Sequence, residues 1–207
     1  MLKNIFAVAA LVSALNVQAA DLSYSHVDVG FGKVEVDNDW GGYDGDALGL
    51  GLSVAAGDIF YFTAGLVDAD MEFDDQQTTS FGVGAHAALS ENTDVYAEVS
   101  YVRVDVEVNY IAVVDVDGNV NMVSLPDQMG NLDIDDNGVG YLLGLRSMLT
   151  EKFELGGGIS RVDVFDSAED SFFVNGHYYF TDTFGVGAEY SIADDVTAYS
   201  ISLRVNF

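Results

Sequence analysis

From Thr197 to its last residue the chain alternates without a break. Thr197, Tyr199, Ile201, Leu203, Val205 and Phe207 fall on one face, and Ala198, Ser200, Ser202, Arg204 and Asn206 on the other. A period of two belongs to an extended strand, whose successive side chains point to opposite sides of a sheet. One face stays apolar up to an aromatic final residue, so this strand needs an oily surface along its whole length.

The opposite end of the chain points to export. Lys3 is the only charged side chain before Asp21, Ile5 to Leu15 is apolar apart from Ser13, and Val17-Gln18-Ala19-Ala20 offers small residues for cleavage. That layout predicts a signal peptide over residues 1–20, with residues 21–207 as one folded domain. The apolar run is far shorter than the roughly 20 residues a membrane-spanning helix needs. No later segment approaches that length, so any passage through a bilayer must use a closed barrel, which leaves no backbone group unpaired in lipid.

Composition agrees with a barrel. Cysteine is absent, so export brings no disulfide framework. Pro126 is the single proline, as suits a backbone whose N–H groups are committed to strand ladders. No stretch after residue 21 carries an i, i+3, i+4, i+7 apolar stripe.

Ten alternating segments are predicted, joined in turn by tight and longer connections, with eight strands as the alternative count. The tight turns are residues 56–58, 90–93, 150–152 and 181–183; the longer connections are 37–45, 74–77, 111–136, 166–170 and a short 193–195. Turns at one end and longer loops at the other are the layout of an up-and-down transmembrane β-barrel. The apolar faces include Leu48, Leu50, Leu52 and Val54, then Phe81, Val83 and Ala85. The facing positions are mostly Gly, Ala and Ser, which suits a narrow lumen.

Four segments repeat a second pattern. After about seven apolar-faced residues the same face turns charged, at Lys33 and Glu35, Asp68 and Asp70, Arg103 and Asp105, Arg161 and Asp163, while valines enter the other face. Either the strand leaves the hydrocarbon there, or a β-bulge reverses its phase. A bilayer edge acts on every strand at one height, so it is favoured, with the interface near Phe31, Leu66, Tyr101 and Ile159. The chain has 34 acidic and 7 basic residues, and 24 of the acids lie at or above that edge. Such a surface repels nucleic acid and draws loosely held divalent cations, with no other cofactor expected.

Five charges fall on the small-residue face at membrane depth: Glu98, Arg146, Glu154, Glu189 and Arg204. Arg146 and Glu154 stand equally far from Thr150, so a hairpin pivoting there sets them side by side. In a lumen, charges must pair or meet water. The set is either an ion-pair plug or the gate of a narrow conductance path. His26, His86 and His177 share the inward face but lie on separate strands without ligand spacing, and no catalytic constellation is expected. Asp133-Ile134-Asp135-Asp136-Asn137-Gly138 opens like a calcium loop, yet the twelfth position is Gly144 rather than Glu. Asp133, Asp135 and Asn137 are therefore a weak metal candidate, and an acidic turn entering a strand the better account.

With these features together the chain resembles the small Gram-negative outer-membrane β-barrel proteins, the OmpA-like and porin-like group. That resemblance implies a non-enzymatic barrel of the cell outer membrane, structural or surface-interacting, with a largely plugged polar lumen. The alternatives are a narrow cation-favouring channel or an outer-membrane hydrolase. It further implies that Tyr199, Leu203, Val205 and Phe207 form the signal read by the barrel-assembly machinery. Expected partners are outer-membrane lipids and lipopolysaccharide, the latter through Lys33, Arg103 and Arg161; the competing use of these cations is pairing with acids on neighbouring strands.

Overall fold

The computed structural model describes residues 22–37, 42–72, 74–108, 110–114, 120–124 and 132–207. The predicted signal peptide, residues 1–20, lies outside the described residues. Among the described residues twelve strands are present: β1 (His26–Val36), β2 (Tyr43–Ala56), β3 (Phe60–Met71), β4 (Asp74–Ser90), β5 (Thr93–Val108), β6 (Tyr110–Val114), β7 (Val120–Ser124), β8 (Leu132–Thr150), β9 (Phe153–Val164), β10 (Ser167–Tyr179), β11 (Phe184–Ala193) and β12 (Val196–Asn206). Ten of them form one closed antiparallel barrel in chain order, while β6 and β7 form a separate two-stranded sheet among the described residues. β12 closes the barrel on β1, in register from His26↔Asn206 to Val36↔Val196.

The lower end carries the short turns at 57–59, 91–92, 151–152 and 180–183. The upper end differs from expectation. Residues 74–77 belong to β4, and the β9–β10 and β11–β12 connections shrink to two residues each. Phe165 and Asp166 both adopt positive φ, 51° and 55°, the pattern of a two-residue hairpin turn whose twist matches its strands. Ladder pairing thus continues well above the predicted interface on most strands.

That continuation settles the change of pattern. β1 alternates evenly through Lys33 and Glu35, which stay outside, and Val34 and Val36, which are fully buried inside. The barrel ladders shift register only between Ala88 and Ser90 and between Met148 and Thr150, next to the lower turns. No phase reversal occurs at the interface among the described pairs, so the membrane edge, not a bulge, explains the switch from apolar to charged.

Two interiors are therefore stacked. At membrane depth large apolar groups such as Phe31, Leu50, Phe81, Tyr141 and Leu203 point outward, exposed. The inward face holds glycine because aromatic rings from the next strand lie across it. Tyr61 covers Gly84, Tyr96 covers Gly144 and His177 covers Gly187, each pair directly opposite in register. Above the membrane the polarity inverts. One apolar cluster gathers Val34, Val36, Val67, Met71 and Val196; the other gathers Val102, Val104, Val106, Val162 and Val164.

Candidate functional site: the lumen

Two charged clusters occupy the lower half of the barrel. β1 and β12 bring Asp28 and Arg204 directly opposite each other on the inward face. The guanidinium forks onto the carboxylate, Nε and Nη2 each donating over 2.7 Å. His26 Nε2 lies 3.2 Å from the same carboxylate, and all three side chains are buried. A two-point contact of this kind fixes geometry as well as charge.

The second cluster forms around Asp94 on β5 and Arg146 on β8, which are likewise register partners. Arg146 Nη2 is 3.7 Å from the Asp94 carboxylate, and His86 Nδ1 is 3.2 Å from it. Residues 22–25, ahead of β1, turn into the barrel and complete the group. The Tyr24 hydroxyl donates to Asp94 over 3.0 Å, and its ring stacks on His86 at 3.6 Å. The Arg146 guanidinium sits 4.0 Å over that ring and donates to the Leu22 carbonyl over 2.9 Å. A cation held over an aromatic face away from water gains about 2 kcal/mol. Three further bonds fasten this strap: Ser53 Oγ to the Tyr24 carbonyl, the Ala55 N–H to Ser25 Oγ, and the Phe207 N–H to the Ser25 carbonyl.

A family model described as outer membrane protein beta-barrel domain matches residues 5–191. The chain belongs to that family. It is an outer-membrane β-barrel protein, so its short turns face the periplasm and its raised strands the exterior. No curated protein matches it in sequence. Among solved structures it is similar to the KdgM porin, at 10% identity and TM-score 0.48 over 87% of this chain and 99% of that one. The translocator domain of the autotransporter NalP from Neisseria meningitidis matches at 13% and 0.48, over 100% of this chain and 95% of that one. The N-terminal barrel domain of Pseudomonas aeruginosa OprF matches at 10% and 0.42, over 87% and 97%.

In this outer-membrane barrel protein the expected lumen charges all sit inside, but their pairing differs from the hairpin prediction. Arg146 stands opposite Gly156 and Glu154 opposite Met148, so the two are diagonal rather than adjacent. The chain turns at residues 151–152 rather than at Thr150, so the hairpin has no pivot on Thr150, and Arg146 meets Asp94 on its other side. Glu98 instead accepts from Thr63 Oγ1 over 3.0 Å, and Glu189 from Asn175 Nδ2 over 3.3 Å. Glu154 is fully buried opposite His177. Asp28, Asp94 and Tyr24 escaped the sequence reading. Both aspartates share the inward alternation of their strands, and asking which acid each lumen arginine needs would have singled them out.

At the outer rim Lys33 lies 3.3 Å from both Asp44 and Asp46. Arg103 bonds Asp105 at 2.7 Å and approaches Asp135 at 3.5 Å, and Arg161 bonds Asp170 at 2.9 Å. Arg103 holds the Asp105 carboxyl below its ordinary pKa through these bonds. Asp74, at the top of β4, is pushed above its ordinary value by burial, which an N–H from Gln76 partly offsets. Asp133, Asp135 and Asn137 lie exposed along one face of β8, opposite Glu107, Asp105 and Arg103. The segment is strand rather than loop or turn, and an extended strand cannot wrap an ion as a calcium loop does. An open groove of about 380 Å³ on this rim is lined by Asp68, Asp75, Asp105 and Glu107 among others.

Proposed function

We propose that this protein is a structural and surface-interacting barrel of the outer membrane whose lumen is closed to solutes. One observation carries the reading: the interior is filled at two heights by different chemistry. Ion pairs capped by Tyr24 occupy the periplasmic half, and packed valines occupy the outer half. Opening such a lumen would strand buried charges below and expose apolar surface above, so the closed form is the stable one.

The raised acidic rim and the β6–β7 hairpin then present the contact surface. Lipopolysaccharide is reached through the rim, where Lys33, Arg103 and Arg161 bridge to headgroup phosphates while held by their acidic neighbours. Tyr199, Leu203, Val205 and Phe207, exposed on the lipid face of the closing strand, serve the assembly machinery. The barrel acts without a catalytic centre.

Liposome swelling in glucose, with the refolded protein, tests the closure. The expected result is the swelling rate of protein-free vesicles. Rapid glucose entry would refute it.

A further inference from the structure

Residues 22–25 leave the wall of the barrel and cross to its far side. Ser25 still belongs to the seam where the first and last strands meet. Its carbonyl accepts the Phe207 N–H over 3.1 Å, and its Oγ accepts the Ala55 N–H over 3.1 Å. It thereby adds one step to the ladders that β1 shares with β12 and β2, whose first pairs are His26↔Asn206 and His26↔Ser53. Ser53 Oγ holds the Tyr24 carbonyl where the chain departs. Ser23 Oγ both donates to the Ser25 carbonyl and accepts the Ser25 N–H, which shapes the bend.

The strap ends on the opposite wall. The Tyr24 ring packs 5.0 Å from Tyr61 on β3 and 3.6 Å from His86 on β4, and its hydroxyl donates to Asp94 on β5. Arg146 on β8 donates to the Leu22 carbonyl. β8 is five strands from β1 in either direction, the opposite side of a ten-stranded cylinder. Leu22 arrives there with a φ of 44°. A residue with a side chain keeps that left-handed conformation only where its surroundings hold it.

These partners come together only in the closed barrel. Phe207 lies beside Ser25 only after β12 has come round to β1. Were the sheet flat, five strand spacings would put β8 about 24 Å from β1. The three steps from Ser25 to Leu22 reach about 10 Å, and one arginine side chain does not make up the difference. The seam itself joins Asp28 to Arg204, 176 positions apart, so its loop-closure cost is high and no turn holds it together.

We propose that residues 22–25 are a closure latch: they seat after β12 has paired with β1, and the seam opens only once they have left. The latch acts on the seam and so goes beyond the closed-lumen reading. Contacts made after the rate-limiting closure slow unfolding and leave folding unchanged.

The test uses a seam that can be locked. The chain has no cysteine, and Val27 and Val205 are register partners at the periplasmic end of β1 and β12. In the V27C/V205C protein, reduced or oxidised, folding and unfolding in urea and lipid vesicles are timed by the gel shift. In the reduced form Tyr24→Ala should speed unfolding about 30-fold and change the folding rate less than about twofold. With the seam oxidised, the same substitution should speed unfolding less than about threefold. Tyr24→Phe, which loses only the Asp94 bond, should speed unfolding about fivefold when reduced and less than about twofold when oxidised. It decides alone if Tyr24→Ala does not fold. Equal acceleration in both redox states would overturn the latch, because the strap would then only fill the lumen. Slower folding without faster unfolding, or no acceleration in the reduced form, would overturn it as well. Glucose entry into wild-type vesicles does not read the seam, so the two readings fail separately.

Discussion

The Asp28–Arg204 fork ties the first strand to the last, and Asp28→Asn asks how much of the barrel's stability rests there. Both side chains are 1% exposed, and the guanidinium uses Nε and Nη2 on the one carboxylate. An amide leaves a full positive charge buried with half its acceptors gone. Breaking a buried pair from one side costs about 3–5 kcal/mol, a factor of roughly 150 to 5,000 in the folding equilibrium. Removing both charges, in D28N/R204M, relieves the stranded guanidinium and should recover all but about 1–2 kcal/mol. Urea titration in lipid vesicles, scored by the gel shift between folded and unfolded barrel, reads all three forms. The exposed rim pair Arg161–Asp170 gives the contrast. Its side chains are 52% and 67% accessible, so Asp170→Asn should cost less than about 1 kcal/mol. The reasoning fails if D28N costs no more than D170N, or if the double variant is no more stable than D28N alone.

Leu203 points into lipid on the closing strand, so Leu203→Arg should destabilise by about 2–4 kcal/mol in the same titration, whereas Ser202→Ala, facing the lumen, should change it by less than about 1. Tyr24→Ala removes the stacking, the cation contact and the Asp94 hydrogen bond at once; a loss of about 2–3 kcal/mol is expected, together with periplasmic-side protease cleavage within residues 22–25 that wild type resists. Gly84→Ala drives a methyl into the Tyr61 ring and should destabilise the barrel by about 1–3 kcal/mol in the same titration, while in a Tyr61→Ala background the same change should cost less than about 1; an equal cost in both backgrounds would mean the glycine serves another purpose.

The faces of the strands were legible because period two is a local property: Leu48 to Val54 needed no partner to declare which side met lipid. The upper boundary was legible for the same reason, since four separate strands changed polarity at one height. Pairing inside the lumen was not, because it depends on register between strands far apart in sequence. Arg146 pairs with Asp94, 52 positions away, rather than the nearer Glu154, because the two are register partners across β5 and β8 while Glu154 stands opposite Met148, and neither register leaves a mark in composition. The upper connections were misjudged because acidic residues were taken as loop formers. Where a strand stands in water on its outer face, Asp75, Asp105 and Asp133 are simply its solvated side.

β5 runs seven residues past Tyr101 to Val108 with β8 beside it, which is about 23 Å of strand. At physiological ionic strength a charge is felt over about 8 Å. The summit is therefore electrically remote from the lipid surface. Ions and macromolecules arriving from the medium meet a negative tower whose field is set by its own side chains, while the headgroups beneath keep a potential of their own.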